Sequence, residues 1–250
     1  MPKIFPIIGP IATIISLEVL FRYPNYIIHV GVINALIIFY CVWHISMHSL
    51  KREFWNLLIL PMLYTIAVWL FSSIAEGKIF REIIMALLTI LLAIYLFNIY
   101  IFWHKREKYQ SYSLLNISNY LQLIAIFLFA AGLYWLKLFL GMPMLLMLCT
   151  FAFVVLLLSY QTFTIEGFYA KRGWLYILVL SFISIEFFWF VSFTPFSVYI
   201  NASIIMLMYY IMLGLARNFI LRSMNTKVVL RYLSITIVSL AMILITAKYI

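Results

Sequence analysis

The sequence predicts an all-α, polytopic membrane protein: a bundle of about nine transmembrane helices that forms one membrane domain, residues 1–250, without a soluble domain. Three observations predict it. First, 67% of the 250 residues are hydrophobic and 10% are charged, whereas soluble domains are roughly 45–50% apolar and ~25% charged. Second, the mean hydropathy is +1.13. Third, the chain contains nine apolar runs of the length that crosses a ~30 Å hydrocarbon core as a helix, about 20 residues.

Each apolar run predicts one span, and the connections between spans are short. Proline and glycine, which break helices and favour turns, lie in several of these connections, as in Arg22–Asn25 and Gly141–Pro143. The nine predicted spans are Ile4–Phe21, Tyr26–Ile45, Phe54–Ala75, Ile83–Trp103, Leu114–Leu136, Pro143–Tyr160, Leu175–Phe193, Ser197–Ala216 and Val228–Ala247.

The basic residues predict how the bundle is oriented. With nine spans, twelve of the 17 Lys and Arg residues fall on the side of the N-terminus and five on the other side. Cytoplasmic loops of membrane proteins carry the excess of Lys and Arg. The N-terminus is therefore predicted to be cytoplasmic and the C-terminus external. The five residues on the predicted external side are Arg22, Lys78, Arg81, Lys137 and Lys248.

Two stretches of the chain resemble each other and indicate an internal repeat. Residues 15–18 (Ile-Ser-Leu-Glu) recur as residues 183–186 (Ile-Ser-Ile-Glu), and a proline follows each copy. An Ile-Asn-Ala triplet comes next in both, at residues 33–35 and 200–202. Helices 1–3 and 7–9 would then be parallel repeats, an arrangement that many transporters have. The alternative is chance similarity among a small set of residue types.

The repeated glutamates and asparagines predict a polar site inside the membrane. Glu18 and Glu186 are acidic residues within predicted spans, and such residues normally face a partner inside the bundle. Asn34 and Asn201 lie on the following spans at depths where they could meet the glutamates. The four side chains would form a polar, protonatable site. The alternative is structural: they bind helices together, and Glu18 pairs with Arg22 one turn away.

Three histidines form a second candidate site at the predicted cytoplasmic side. His44 and His48 share one face of helix 2, and His104 ends helix 4 on the same side. Three imidazoles could hold zinc or iron. Membrane desaturases and hydroxylases use such sites, but they need more than the four histidines of this chain. Histidines at helix ends are also common without a metal, and no cofactor is predicted.

Composition excludes several function classes. All seven acidic residues are glutamate, which excludes enzymes that hold magnesium on aspartate pairs and intramembrane aspartyl proteases. The sequence contains neither a Gly-x-Ser-x-Gly nucleophile motif nor a phosphate-binding loop. The net charge of +10 is spread over many short loops and predicts contacts with anionic lipid headgroups rather than nucleic acid.

Residues 183–196, the Asn201-Ala202 pair and the Tyr209-Tyr210 pair form a pattern on predicted helices 7 and 8. This pattern resembles uncharacterised polytopic membrane proteins of small-genome, candidate-phylum bacteria. The resemblance implies no activity, cofactor or substrate. It favours the bacterial cytoplasmic membrane as the location.

These observations favour a non-enzymatic role. The chain is interpreted as a transporter-like protein, or as the membrane subunit of a complex, that handles a hydrophobic or lipid-like partner. Its expected partners are membrane lipids and either a second protein or further copies of the chain. The alternative is a lipid-modifying membrane enzyme that uses His44, His48 and His104. A scaffold subunit with no site of its own is a third interpretation.

Overall fold

The computed structural model describes residues 3–48, 51–73, 77–105, 113–165 and 171–245. Within these ranges it contains nine α-helices and no strand, so the predicted all-α fold and its nine helices are confirmed. A single 3₁₀ turn, Pro24–Tyr26, precedes the second helix. The helices are α1 Phe5–Arg22, α2 Ile27–Ile45, α3 Arg52–Ser72, α4 Lys78–His104, α5 Ser113–Leu140, α6 Met144–Ile165, α7 Lys171–Val191, α8 Val198–Ile220 and α9 Thr226–Ile245.

Eight of the helices in the described ranges are long and apolar enough to cross a membrane, and α2 contributes a shorter apolar segment, His29–Ile45. The chain is therefore a multi-spanning membrane protein. The orientation of its termini stays a prediction, and three basic residues on which it depends, Arg106, Lys108 and Lys248, lie outside the described residues.

Five helices are longer than their apolar runs predict, and three of these, α4, α5 and α6, exceed the prediction by at least four residues. Helix α4 starts five residues before the predicted Ile83, and α6 continues five residues beyond the predicted Tyr160. Helix α5 continues to Leu140 instead of ending at Leu136. Hydropathy reports only the part of a helix that lies in hydrocarbon, whereas backbone hydrogen bonding continues through polar residues such as Lys78 and Gln161.

The chain divides into two compact units, residues 1–122 and 123–250. In unit 1, helix α1 packs against both α2 and α4, and α3 packs against α2 and α4. In unit 2, helix α7 packs against α6 and α8, and α9 packs against α8. The first copy of the predicted repeat, α1–α3, lies in unit 1 and the second, α7–α9, lies in unit 2.

Tyrosine hydroxyls join neighbouring helices in both units. Tyr64 on α3 donates to the backbone oxygen of Leu88 on α4 at 2.8 Å. Tyr134 on α5 donates to the backbone oxygen of Phe188 on α7, also at 2.8 Å. Each hydroxyl is thus satisfied by a helix carbonyl, which is necessary because hydrocarbon offers a buried polar group no other partner.

We expect Tyr134→Phe to lower the free energy of unfolding by about 1 kcal/mol, because the substitution removes one interhelical hydrogen bond and keeps the ring. Thermal unfolding in detergent, followed by tryptophan fluorescence, measures the effect. Tyr120→Phe on the same helix is the matched control, since Tyr120 is 70% exposed. Equal stability of the two variants would contradict the prediction.

Candidate functional site

Glu18 and Glu186, the two glutamates of the predicted polar site, lie on exposed faces of their helices. On α1 the buried side carries Thr13, Ser16 and Leu17, and Glu18 lies outside it. Glu186 is likewise exposed on α7. Among the described residues neither carboxylate has a hydrogen-bond or ion-pair partner, and the Glu18–Arg22 pair that the spacing allows is not formed.

Asn201 is buried in the first turn of α8, and both ends of its side chain are hydrogen-bonded to the connection that precedes this helix. Its Oδ1 accepts from the Thr194 hydroxyl at 2.8 Å, and its Nδ2 donates to the Phe196 backbone oxygen at 3.4 Å. The side chain therefore holds the turn that follows α7 against the start of α8. This arrangement agrees with the structural interpretation of Asn201.

Asn34, the equivalent residue of the first copy, has a different environment. It is 2% exposed, and its Oδ1 lies 3.4 Å from the Thr13 hydroxyl. That hydroxyl has a shorter contact, 3.0 Å, with the backbone oxygen of Gly9. Because a hydroxyl carries one proton, the contact with Asn34 is weak, and the carboxamide keeps most of its hydrogen-bonding capacity.

The Asn34 side chain lines a cavity of about 370 Å³ between α2 and α3. This cavity, called the α2/α3 cavity below, lies at the start of α2 and the end of α3, the side that is predicted to be external. Its wall is mainly apolar. The lining residues are Gly31, Val32, Asn34, Ala35, Thr65, Ile66, Trp69, Leu70 and Ser73.

Trp69 is one of the residues that line the α2/α3 cavity. Its ring packs on Gly31, where an added Cβ would lie 3.2 Å from Trp69 Cζ3. Glycine at this position therefore lets the indole approach the backbone of α2. The indole N–H is buried and has no acceptor among the described residues. The Thr65 hydroxyl, by contrast, donates to the Met62 backbone oxygen at 2.9 Å.

Sequence reasoning selected Asn34 but missed Trp69 and Thr65. A signal for them exists: Gly31 and Asn34 are three residues apart and share a face of α2, and Thr65 and Trp69 are four apart and share a face of α3. No rule based on spacing indicates that these two faces are adjacent. The packing of α2 on α3 brings them together.

The predicted histidines lie among aromatic rings. His44 stacks on Phe5 with ring centroids 4.5 Å apart, and the His44 and His48 rings are also 4.5 Å apart. His104 stacks on Tyr100 at 4.6 Å. In the part of the chain that the structure describes, no group of three or more His, Cys, Asp or Glu side chains could hold a metal ion. A metal site on these histidines stays a prediction.

Comparisons with protein-family models, with curated proteins and with solved structures find no match to this chain. The geometry of the described residues is therefore the basis for assigning a function.

Proposed function

We propose that this multi-spanning membrane protein binds a hydrophobic or lipid-like molecule in the α2/α3 cavity, as a transporter-like protein or as the membrane subunit of a complex in a bacterial cytoplasmic membrane. The observation that carries the proposal is the buried Asn34 in a mainly apolar wall. A volume of 370 Å³ is within the range of small-molecule sites, ~300–1,000 Å³.

The chemistry of the cavity indicates what the ligand must contain. Apolar side chains of Val32, Ile66 and Leu70 favour a hydrocarbon chain. The carboxamide of Asn34 favours a hydrogen-bonding oxygen at one point of that chain, such as an ester carbonyl or a hydroxyl group. In hydrocarbon a carboxamide with unused hydrogen-bonding capacity is unfavourable, so a ligand that completes its bonds is stabilised.

Only part of the predicted four-residue polar site belongs to the proposed ligand site. Asn34 is the ligand-binding residue, and Asn201 holds a turn. In the transporter form, Glu18 and Glu186 would be the protonatable groups, and Glu186→Gln would abolish the pH dependence of transport. A site that unites all four residues stays a prediction from the sequence.

We expect Asn34→Leu to reduce the lipid-bound fraction about tenfold, because it removes the hydrogen bond to the ligand while keeping a similar volume. The measurement is native mass spectrometry of the protein, extracted gently from its own membrane. The matched control is Asn201→Leu, since Asn201 belongs to the other copy of the triplet and lies outside the cavity. A second variant, Ala35→Phe, fills the cavity and should also lower occupancy.

Two results would contradict the proposal. One is a wild-type protein that carries no defined lipid or small molecule. The other is equal ligand occupancy in Asn34→Leu and Asn201→Leu. A stoichiometric protein partner together with the lipid would favour the subunit form over the transporter form.

A further inference from the structure

One exposed face of α7 in unit 2 is apolar and aromatic except for a single carboxylate. This α7 face consists of Leu178, Phe182, Glu186, Trp189 and Phe190, whose spacing places them on one side of the helix. The four apolar members are 52–66% exposed, and Glu186 is exposed as well. Glu186 is the one charged residue between Gly173 and Phe193.

The opposite side of α7 fixes how the helix is rotated. Phe188 is fully buried, and its ring stacks on Phe151 and Tyr134 at centroid distances of 4.3 and 4.5 Å. Its backbone oxygen accepts the Tyr134 hydroxyl. Because these contacts hold Phe188 in the core, Glu186 cannot turn inward without breaking them.

Among the described residues no cation forms an ion pair with Glu186. It lies five residues before the end of α7 at Val191, about 7.5 Å along the helix axis, so it is within the span. Near that end of α7, the Nζ of Lys137 donates to the Ser192 backbone oxygen at 3.1 Å. An unpaired carboxylate in hydrocarbon is unfavourable, and such residues normally face a partner.

We propose that the α7 face binds a membrane-spanning helix of another protein, and that this helix carries a Lys or Arg opposite Glu186. Charge complementarity selects a basic partner. Trp189 and Phe190 beside the carboxylate supply contact area and attract the same cation through their ring faces. A symmetric pair of identical copies would place Glu186 against Glu186, so a second copy is the less favourable occupant.

The test measures binding of synthetic transmembrane helices to the full chain in phosphatidylcholine vesicles by fluorescence energy transfer. Three leucine-rich peptides differ at one position, a third of the way along the span, where they carry Lys, Leu or Glu. We expect the Lys peptide to bind at least about fivefold more tightly than the Leu peptide, and the Glu peptide no more tightly than the Leu peptide. In Glu186→Gln and Glu186→Leu the preference for Lys should disappear.

The matched control is Glu82→Gln on α4, because Glu82 is an exposed glutamate that already lies 3.9 Å from Lys78; this variant should keep the preference. No preference for the Lys peptide, or an equal preference in Glu186→Gln, would show that the proposal is wrong. Energy transfer between two labelled copies that depends on Glu186 would assign the face to a second copy and overturn it too. This inference does not depend on the α2/α3 cavity. If the α7 face fails the test, the proposal that Asn34 helps to retain a lipid still stands.

Discussion

Gly9→Leu is expected to lower the free energy of unfolding by about 3 kcal/mol, because three helices of unit 1 meet at this glycine. A Cβ added at Gly9 would lie 2.9 Å from Leu96 Cδ1 on α4 and 3.3 Å from Ile38 Cδ1 on α2. Both neighbours are fully buried. A leucine side chain therefore has no space unless α1 moves away from α2 and α4. Thermal unfolding in detergent should show a decrease of about 6–12 °C in the melting temperature.

The control for Gly9→Leu is Ala86→Leu on α4, which adds comparable bulk at an exposed position and should leave the melting temperature nearly unchanged. A second test combines Gly9→Leu with Leu96→Ala. If the steric explanation is correct, the double variant loses less stability than the sum of the two single variants. Additive losses would mean that the two side chains do not compete for the same space.

Gly214→Leu is expected to detach α9 from α8. A Cβ at Gly214 on α8 would overlap the ring of Tyr232, a residue of α9 that packs on this glycine. The Tyr232 ring also packs on Tyr210 at 5.1 Å, and its hydroxyl accepts from Asn218 Nδ2 at 3.5 Å. Only 6% of the α9 span is buried, so little buried surface holds this helix besides the contact at Gly214. Its backbone amides should exchange with deuterium about tenfold faster, while those of α1–α4 stay unchanged.

Tyr232→Ala in the Gly214→Leu background removes the ring that the new leucine side chain would overlap. The double variant should therefore exchange the amides of α9 more slowly than Gly214→Leu alone. Ala241→Leu on the exposed side of α9 is the matched control, and it should not change exchange. Unchanged exchange of α9 in Gly214→Leu would show that other contacts hold the helix.

The two copies of the Ile-Asn-Ala triplet illustrate where sequence reasoning ends. The sequence predicts both asparagines as members of one polar site in the membrane, and both are buried. Their roles differ because their neighbours differ: Asn201 meets Thr194 and Phe196 in a turn, whereas Asn34 lines the α2/α3 cavity. Because the triplet has the same sequence in both copies, it carries no information on which residues pack beside each asparagine.

The membrane location and the nine helices follow from the sequence alone, because the hydropathy of about 20 consecutive residues is a local sum. The rotation of each helix about its own axis does not follow from hydropathy. In a membrane helix the core side and the lipid side are both apolar, so the periodicity that marks the buried face of a soluble helix is weak. Ile33 and Ile38 on α2 show this: the first is 56% exposed and the second is fully buried. Only the packing of neighbouring helices decided that Asn34 lines a cavity, that Trp69 faces it, and that Glu186 is exposed.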